Sequence, residues 1–129
     1  MLAKAEALAS LKSIGEALAQ TIEAQGMEAA VQQYHELKKR QASAYDFSEG
    51  ELNALGYRLL QAKKVKEAIQ IFRLNVEAYP QSGNVYDSLA EAYMVNRDKE
   101  LAIANYQKSL QLDPANKNAV EMLKKLAAP

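Results

Sequence analysis

The chain has 129 residues, 16 Lys and Arg against 16 Asp and Glu, and no cysteine. That length supports one domain with a continuous core but is short for an enzyme with its own cleft. Balanced charge argues against non-specific binding to nucleic acid or to an anionic membrane, and the lack of cysteine excludes disulfides and thiolate metal sites.

No apolar run approaches the roughly 18 residues of a membrane span. The start, Met1-Leu-Ala-Lys-Ala-Glu-Ala-Leu-Ala, interleaves charge with alanine and lacks an apolar signal core. A soluble, cytoplasmic protein is expected, unless the chain is a fragment of a longer one that carries a signal upstream.

Leu2, Leu8, Leu11, Ile14, Leu18 and Ile22 fall at helical spacing and predict a first helix running to about Ala24. Gly26 ends it, being the residue type that accepts a left-handed cap. A second helix carries Ala30, Val31, Tyr34 and Leu37 and finishes on Lys38-Lys39-Arg40, a favourable charge at a helix C-terminus. Tyr45 and Phe47 are expected to pack across the next junction. Ser48 with Glu51 three residues later reads as a capping box opening a third helix over 49–62, followed by a turn at Lys63-Lys64. The fourth helix spans 65–79 and stops at Pro80. The fifth covers 84–96, and the sixth 98–112 with Asp98 as its cap. Asp113-Pro114 repeats the stop. A final helix within Ala115–Ala127 turns Val120, Leu123 and Leu126 inward and Lys117, Lys124 and Lys125 to water.

Two of these helix pairs are the same pattern written twice in succession, Glu49–Ser82 and then Gly83–Asn116. Leu55 falls on Leu89, Gly56 on Ala90, Leu59 on Tyr93, Ala68 on Ala102, Ile69 on Ile103, Phe72 on Tyr106 and Pro80 on Pro114. The resulting L-G-x2-(L/Y), A-x3-(F/Y) and P spacing resembles the tetratricopeptide (TPR) repeat, whose period of about 34 residues it shares. Aligning Ala30-x3-Tyr34 with Ala68-x3-Phe72 makes 11–44 a degenerate first repeat; 49–82 and 83–116 are the full repeats, and 117–127 is a capping helix. The resemblance implies an all-α, right-handed superhelical solenoid of about seven helices, whose concave groove is lined mainly by the first helix of each repeat.

The usual catalytic patterns are absent: no G-x-S-x-G, S-x-x-K, Walker loop or H-E-x-x-H. The sole histidine, His35, has no evident partner for metal binding or base catalysis. Asp87 and Glu91 could form a carboxylate pair, although a solvated helix face at i, i+4 is the more ordinary explanation. Neither enzyme activity nor a metal or cofactor is expected.

Mapped onto the TPR pattern, the groove receives Asn53, Tyr57, Leu60 and Gln61 from the third helix. Asn84, Asp87, Glu91 and Met94 come from the fifth, Asn118, Glu121 and Lys125 from the last, and Lys12, Gly15, Ala19 and Glu23 from the first. Of the 7 tyrosines, Tyr34, Tyr86, Tyr93 and Tyr106 fall on core positions, and Tyr57 faces the groove. One TPR subclass grips acidic chaperone tails with lysines, asparagines and an arginine. Here the corresponding positions are Gly15, Ala19, Ala54, Asn84 and Ser88, none cationic. The expected partner is a protein or peptide, Asp87 and Glu91 favouring a basic or amine-bearing segment of it, and self-association stays open. A narrower resemblance, in Tyr45–Leu60, Ala68–Pro80 and Asn84–Tyr93, is to the TPR tail of some bacterial serine hydrolases, β-lactamase-like or esterase-like. It implies an accessory module that packs on a hydrolase domain and carries no catalysis of its own.

Overall fold

The computed structural model describes residues 10–128, which form seven helices and one short strand pair. The elements are β1 (Lys12–Ser13), α1 (Ile14–Gln25), α2 (Met27–Arg40), β2 (Tyr45–Asp46) and α3 (Glu49–Gln61). They continue as α4 (Val65–Ala78), α5 (Gly83–Val95), α6 (Lys99–Leu112) and α7 (Lys117–Ala127). They group into two compact units, Met1–Leu55 and Gly56–Pro129, with the boundary inside α3.

In the first unit, α1 begins at Ile14, later than its apolar spacing predicts; Leu2 and Leu8 lie outside the described residues. The start is set by Ser13, whose Oγ accepts from the Glu16 amide at 3.0 Å. Lys12 and Ser13 are extended instead and pair in parallel with Tyr45 and Asp46. No periodicity could announce a pair only two residues long. Glu51 departs from the capping-box expectation. Its carboxylate accepts from the Ser13 hydroxyl and from the Gly15 amide, so it closes the N-terminus of α1 rather than that of its own helix. Ahead of α3 it is Asp46 that accepts from the Ser48 amide, and this contact together with the Ser48 hydroxyl holds the Asp46 carboxyl below its ordinary value.

Gly26 has φ 93° and joins α1 to α2, its amide reaching back to the Thr21 and Ile22 carbonyls. Ile14, Leu18, Ile22, Ala30, Tyr34, Leu52 and Leu55 are buried here. Tyr34 meets Phe47 edge-on at 5.8 Å between centroids, and Phe47 stands 6.2 Å from Tyr45, as the junction aromatics were expected to do.

In the second unit α5 packs on both α4 and α6, and α6 on α7. The small residues Gly56, Ala68, Ala90 and Ala102 are buried beside Phe72, Leu89, Tyr93 and Tyr106. Both intra-repeat turns have one geometry. Lys63 (φ 64°) and Arg97 (φ 65°), at equivalent positions of the two full repeats, adopt the left-handed conformation. The Lys64 amide bonds the Leu59 carbonyl and the Lys63 amide that of Leu60; Asp98 to Tyr93 and Arg97 to Met94 repeat the pattern. This is the Schellman arrangement, which satisfies carbonyls left over at a helix end. Asp98 precedes α6 as expected, but its side chain makes no cap and accepts from Asn96 Nδ2 at 2.7 Å instead.

Candidate functional site

A polar cluster in the second unit joins α3, α5, α6 and the start of α7. Along α5, Asn84, Asp87, Glu91 and Met94 follow steps of three, four and three, which puts them on one stripe of a 3.6-residue helix. Asn84 is exposed, and the other three are half-buried.

Asp87 is held from two sides. Its Oδ2 accepts from Asn116 Nδ2 at 2.7 Å, and its Oδ1 from Asn118 Nδ2 at 2.9 Å. Asn116 is also the N-cap of α7, its Oδ1 accepting from the Ala119 amide at 3.1 Å. Asn116 Nδ2 also donates to Ser109 Oγ at 2.9 Å, and the Ser109 hydroxyl donates to the Gly83 carbonyl at 2.6 Å. Ser109 is fully buried, so this chain satisfies a hydroxyl that water cannot reach.

Tyr57 lies on α3 with its ring edge-on to Phe72, centroids 5.2 Å apart. Its hydroxyl hydrogen-bonds with Ser88 and Glu91. Burial, reinforced by the negative charge of Glu91 and Asp87, pushes this phenol up to about 12 against the counteracting Ser88 contact. Tyr106 is buried, and its phenol is pushed up as well, first by burial and then by the charges of Asp87 and Glu91. Neither carboxylate has a lysine or arginine in ion-pair contact among the described residues. The cluster is a fixed, cation-free acidic surface bordered by two phenols.

Of the residues read from the sequence as groove-lining, this cluster gathers Tyr57, Asp87, Glu91 and Asn118, with Asn84 and Met94 along the same α5 stripe. Gln61 is exposed one turn beyond Tyr57. Asn53 is half-buried and belongs to the first unit. The pattern missed Ser109 and Asn116, gave Ser88 only as a non-cationic clamp position, and assigned Tyr106 to packing alone. A signal for Ser109 was present in the alignment: Asn75 stands at the same position of the preceding repeat, and the two are the polar residues buried on second helices among the described residues. Among the described residues no three His, Cys, Asp or Glu side chains stand close enough to hold a metal.

No family model and no curated protein matches the sequence. Among solved structures, the chain is similar to the first TPR of Spaghetti (RPAP3) bound to the HSP90 peptide SRMEEVD. The TM-score is 0.62 at 18% sequence identity, over 92% of this chain and 94% of that one. The fold is thus an all-α TPR fold, and at this identity the likeness reaches no further than the fold.

Proposed function

We propose that the chain is a protein-interaction module that binds a segment of a partner protein along the α5 stripe and its neighbours in the TPR groove. The observation that carries this is the fixed, unneutralised pair of carboxylates. Asp87 is positioned by two asparagine amides and Glu91 by Tyr57, so the surface is set before a ligand arrives and little ordering remains to oppose binding. Exposed Asn84 adds an amide that can both donate to and accept from a peptide backbone. The TPR neighbour is bound to SRMEEVD, an acidic peptide. The acidic stripe here favours the opposite, a basic segment. Nothing in the sequence pairs a nucleophile with a base, which supports a binding role without catalysis. Among the described residues no helix is long and apolar enough to cross a membrane.

The accessory reading, a tail packed on a serine hydrolase domain or on a second copy, ranks below this one. It calls for a broad apolar patch. The exposed large hydrophobics among the described residues are Val95 and Leu101.

The test is a peptide array probed with the full chain, followed by variants against the segments it captures. Asn84→Ala should weaken binding by about 1–3 kcal/mol through unsatisfied peptide groups. Lys108→Ala, on an exposed position of α6, is the control. Capture of no segment, or sensitivity to Lys108→Ala with indifference to Asn84→Ala and Glu91→Lys, overturns the proposal. Asp87 is a poor probe, because its loss also strips α7 of two anchoring contacts.

A further inference from the structure

We propose that α7 is a strap that docks and undocks as one unit, latched through Asp87, and that a segment bound along the α5 stripe closes it. The strap stands on the contacts alone; its closure by a bound segment rests on the interaction-module reading above. α7 packs on α6, yet Ala119 is its sole fully buried side chain among the described residues. Val120, Met122, Leu123 and Leu126 are only half-buried. α5, by contrast, buries Val85, Leu89, Ala90, Ala92 and Tyr93. Apolar attachment scales with the area removed from water, so α7 is held less firmly than the helices beneath it. Nor does charge hold it: Lys117, Lys124 and Lys125 are exposed and enter no ion pair among the described residues.

What fastens α7 is polar and concentrated at its N-terminal end. Asn116 caps the helix and donates to Asp87 Oδ2 at 2.7 Å and to the buried Ser109 Oγ at 2.9 Å. Asn118 donates to the other Asp87 oxygen at 2.9 Å. One carboxylate thus receives both amides and ties α7 to α5. Undocking takes both donors from Asp87 and one from Ser109, but it also opens these groups to water, which replaces the lost bonds. A helix with little buried apolar area and a water-replaceable tie opens at a lower free energy than the core. Asp87 also belongs to the α5 stripe with Asn84 and Glu91, and its carboxylate is fixed by the two amides only while α7 is docked. A segment that binds the fixed stripe has the higher affinity for the docked state, so it draws α7 shut. By linkage, docking raises the affinity for that segment by the same factor.

The experiment is native-state hydrogen exchange of the full chain, followed amide by amide at graded low denaturant. Amides of α7 should exchange through an opening about tenfold or more as frequent as that of α4, with a shallower dependence on denaturant. Ile71→Val, at a fully buried position of α4, should speed exchange in α4 about fivefold and leave α7 unchanged, because α4 stays folded while the strap is open. Asp87→Asn should speed α7 exchange about tenfold, whereas Glu91→Gln, one turn further along α5, should not alter it. Coincident exchange of α7 and α4, an equal response of both to Ile71→Val, or indifference of α7 to Asp87→Asn overturns the strap. A synthetic peptide of the segment captured most strongly on the array, added at saturation, should slow α7 exchange about fivefold or more. Unchanged α7 exchange with that peptide bound overturns the closure and leaves the interaction module standing. Capture of no segment sinks the module and the closure with it, while the strap is decided by the exchange of the free chain.

Discussion

A Cβ atom placed on Gly56 would lie 2.2 Å from Cε1 of Phe72, with Cζ at 2.5 Å and Cδ1 at 2.6 Å. The phenylalanine ring therefore occupies the space a side chain at position 56 would need, and the L-G pair of the repeat is a packing requirement rather than a turn signal. Gly56→Ala should cost about 1–3 kcal/mol in urea unfolding despite the higher helix propensity of alanine. Phe72→Ala should cost about 3–5 kcal/mol from the cavity it leaves. In the double variant Gly56→Ala/Phe72→Leu the costs should be clearly less than additive, since the smaller side chain frees the contested volume. Simple additivity would show that the two residues do not compete. Gly50, with nothing within 4 Å of its Cβ position, is the control: Gly50→Ala should leave stability equal or higher by a few tenths of a kcal/mol.

Lys63 and Arg97 give a second prediction of opposite sign. Both hold a left-handed φ, 64° and 65°, at the C′ position of a Schellman turn, where a Cβ is strained and glycine is not. Their side chains are exposed, so little packing is lost on removal. Lys63→Gly and Arg97→Gly should each raise the unfolding free energy by about 0.5–1 kcal/mol, the relief of strain exceeding the added entropy of the unfolded chain. A loss in both would mean that these side chains make contacts worth more than the strain.

The repeat was legible because its packing constraints recur at a fixed spacing. Ala68 with Phe72, and Ala102 with Tyr106, are the same pairing of a buried small residue and a buried ring written twice, and the constant interval between them exposes it. What escaped the sequence is contact between elements distant along the chain. Glu51 obeyed a local capping pattern on paper, yet its carboxylate serves Ser13 and Gly15, 38 and 36 residues away. Asn118 read as a groove amide from its place in the repeat pattern; that it spends one amide proton on Asp87 depends on how α7 docks. Tyr106 illustrates the limit most clearly. Its ring is core, as the pattern says, while its phenol is raised by the charges of Asp87 and Glu91 as well as by burial, and a one-letter pattern cannot assign two ends of one side chain to different environments.

Asn116 and Asn118 separate the structural part of that cluster from the surface part. Asn116 caps α7 and donates to both Asp87 and the buried Ser109, so Asn116→Ala removes a cap and leaves polar groups unsatisfied together. A cost of about 1–3 kcal/mol is expected, with faster hydrogen exchange throughout α7. Asn118 is exposed and makes a single contact to Asp87, so Asn118→Ala should cost less than about 1 kcal/mol. Equal losses in the two variants would show that the link to Ser109 adds nothing to the docking of α7.

The last prediction concerns alkaline pH. The Tyr57 phenol is pushed up to about 12, chiefly by burial, whereas in the unfolded chain it ionises near 10. Between these values the unfolded state has lost the proton and the native state still holds it, so unfolding is favoured increasingly as pH rises. The contribution is complete below about pH 10 and is lost as pH climbs through about 12, and Tyr106, raised by the same burial and charges, acts in the same direction. Ultraviolet absorbance titration of the folded chain should therefore show two of its 7 tyrosines ionising late, a feature that strong denaturant abolishes. Tyr57→Phe should remove the step near 12 and flatten the alkaline fall in stability, with no change in the pH dependence below 10. A Tyr57→Phe variant whose titration matches the parent would show that this phenol is not the late one, and with it the placement of Tyr57 against Glu91 would fail.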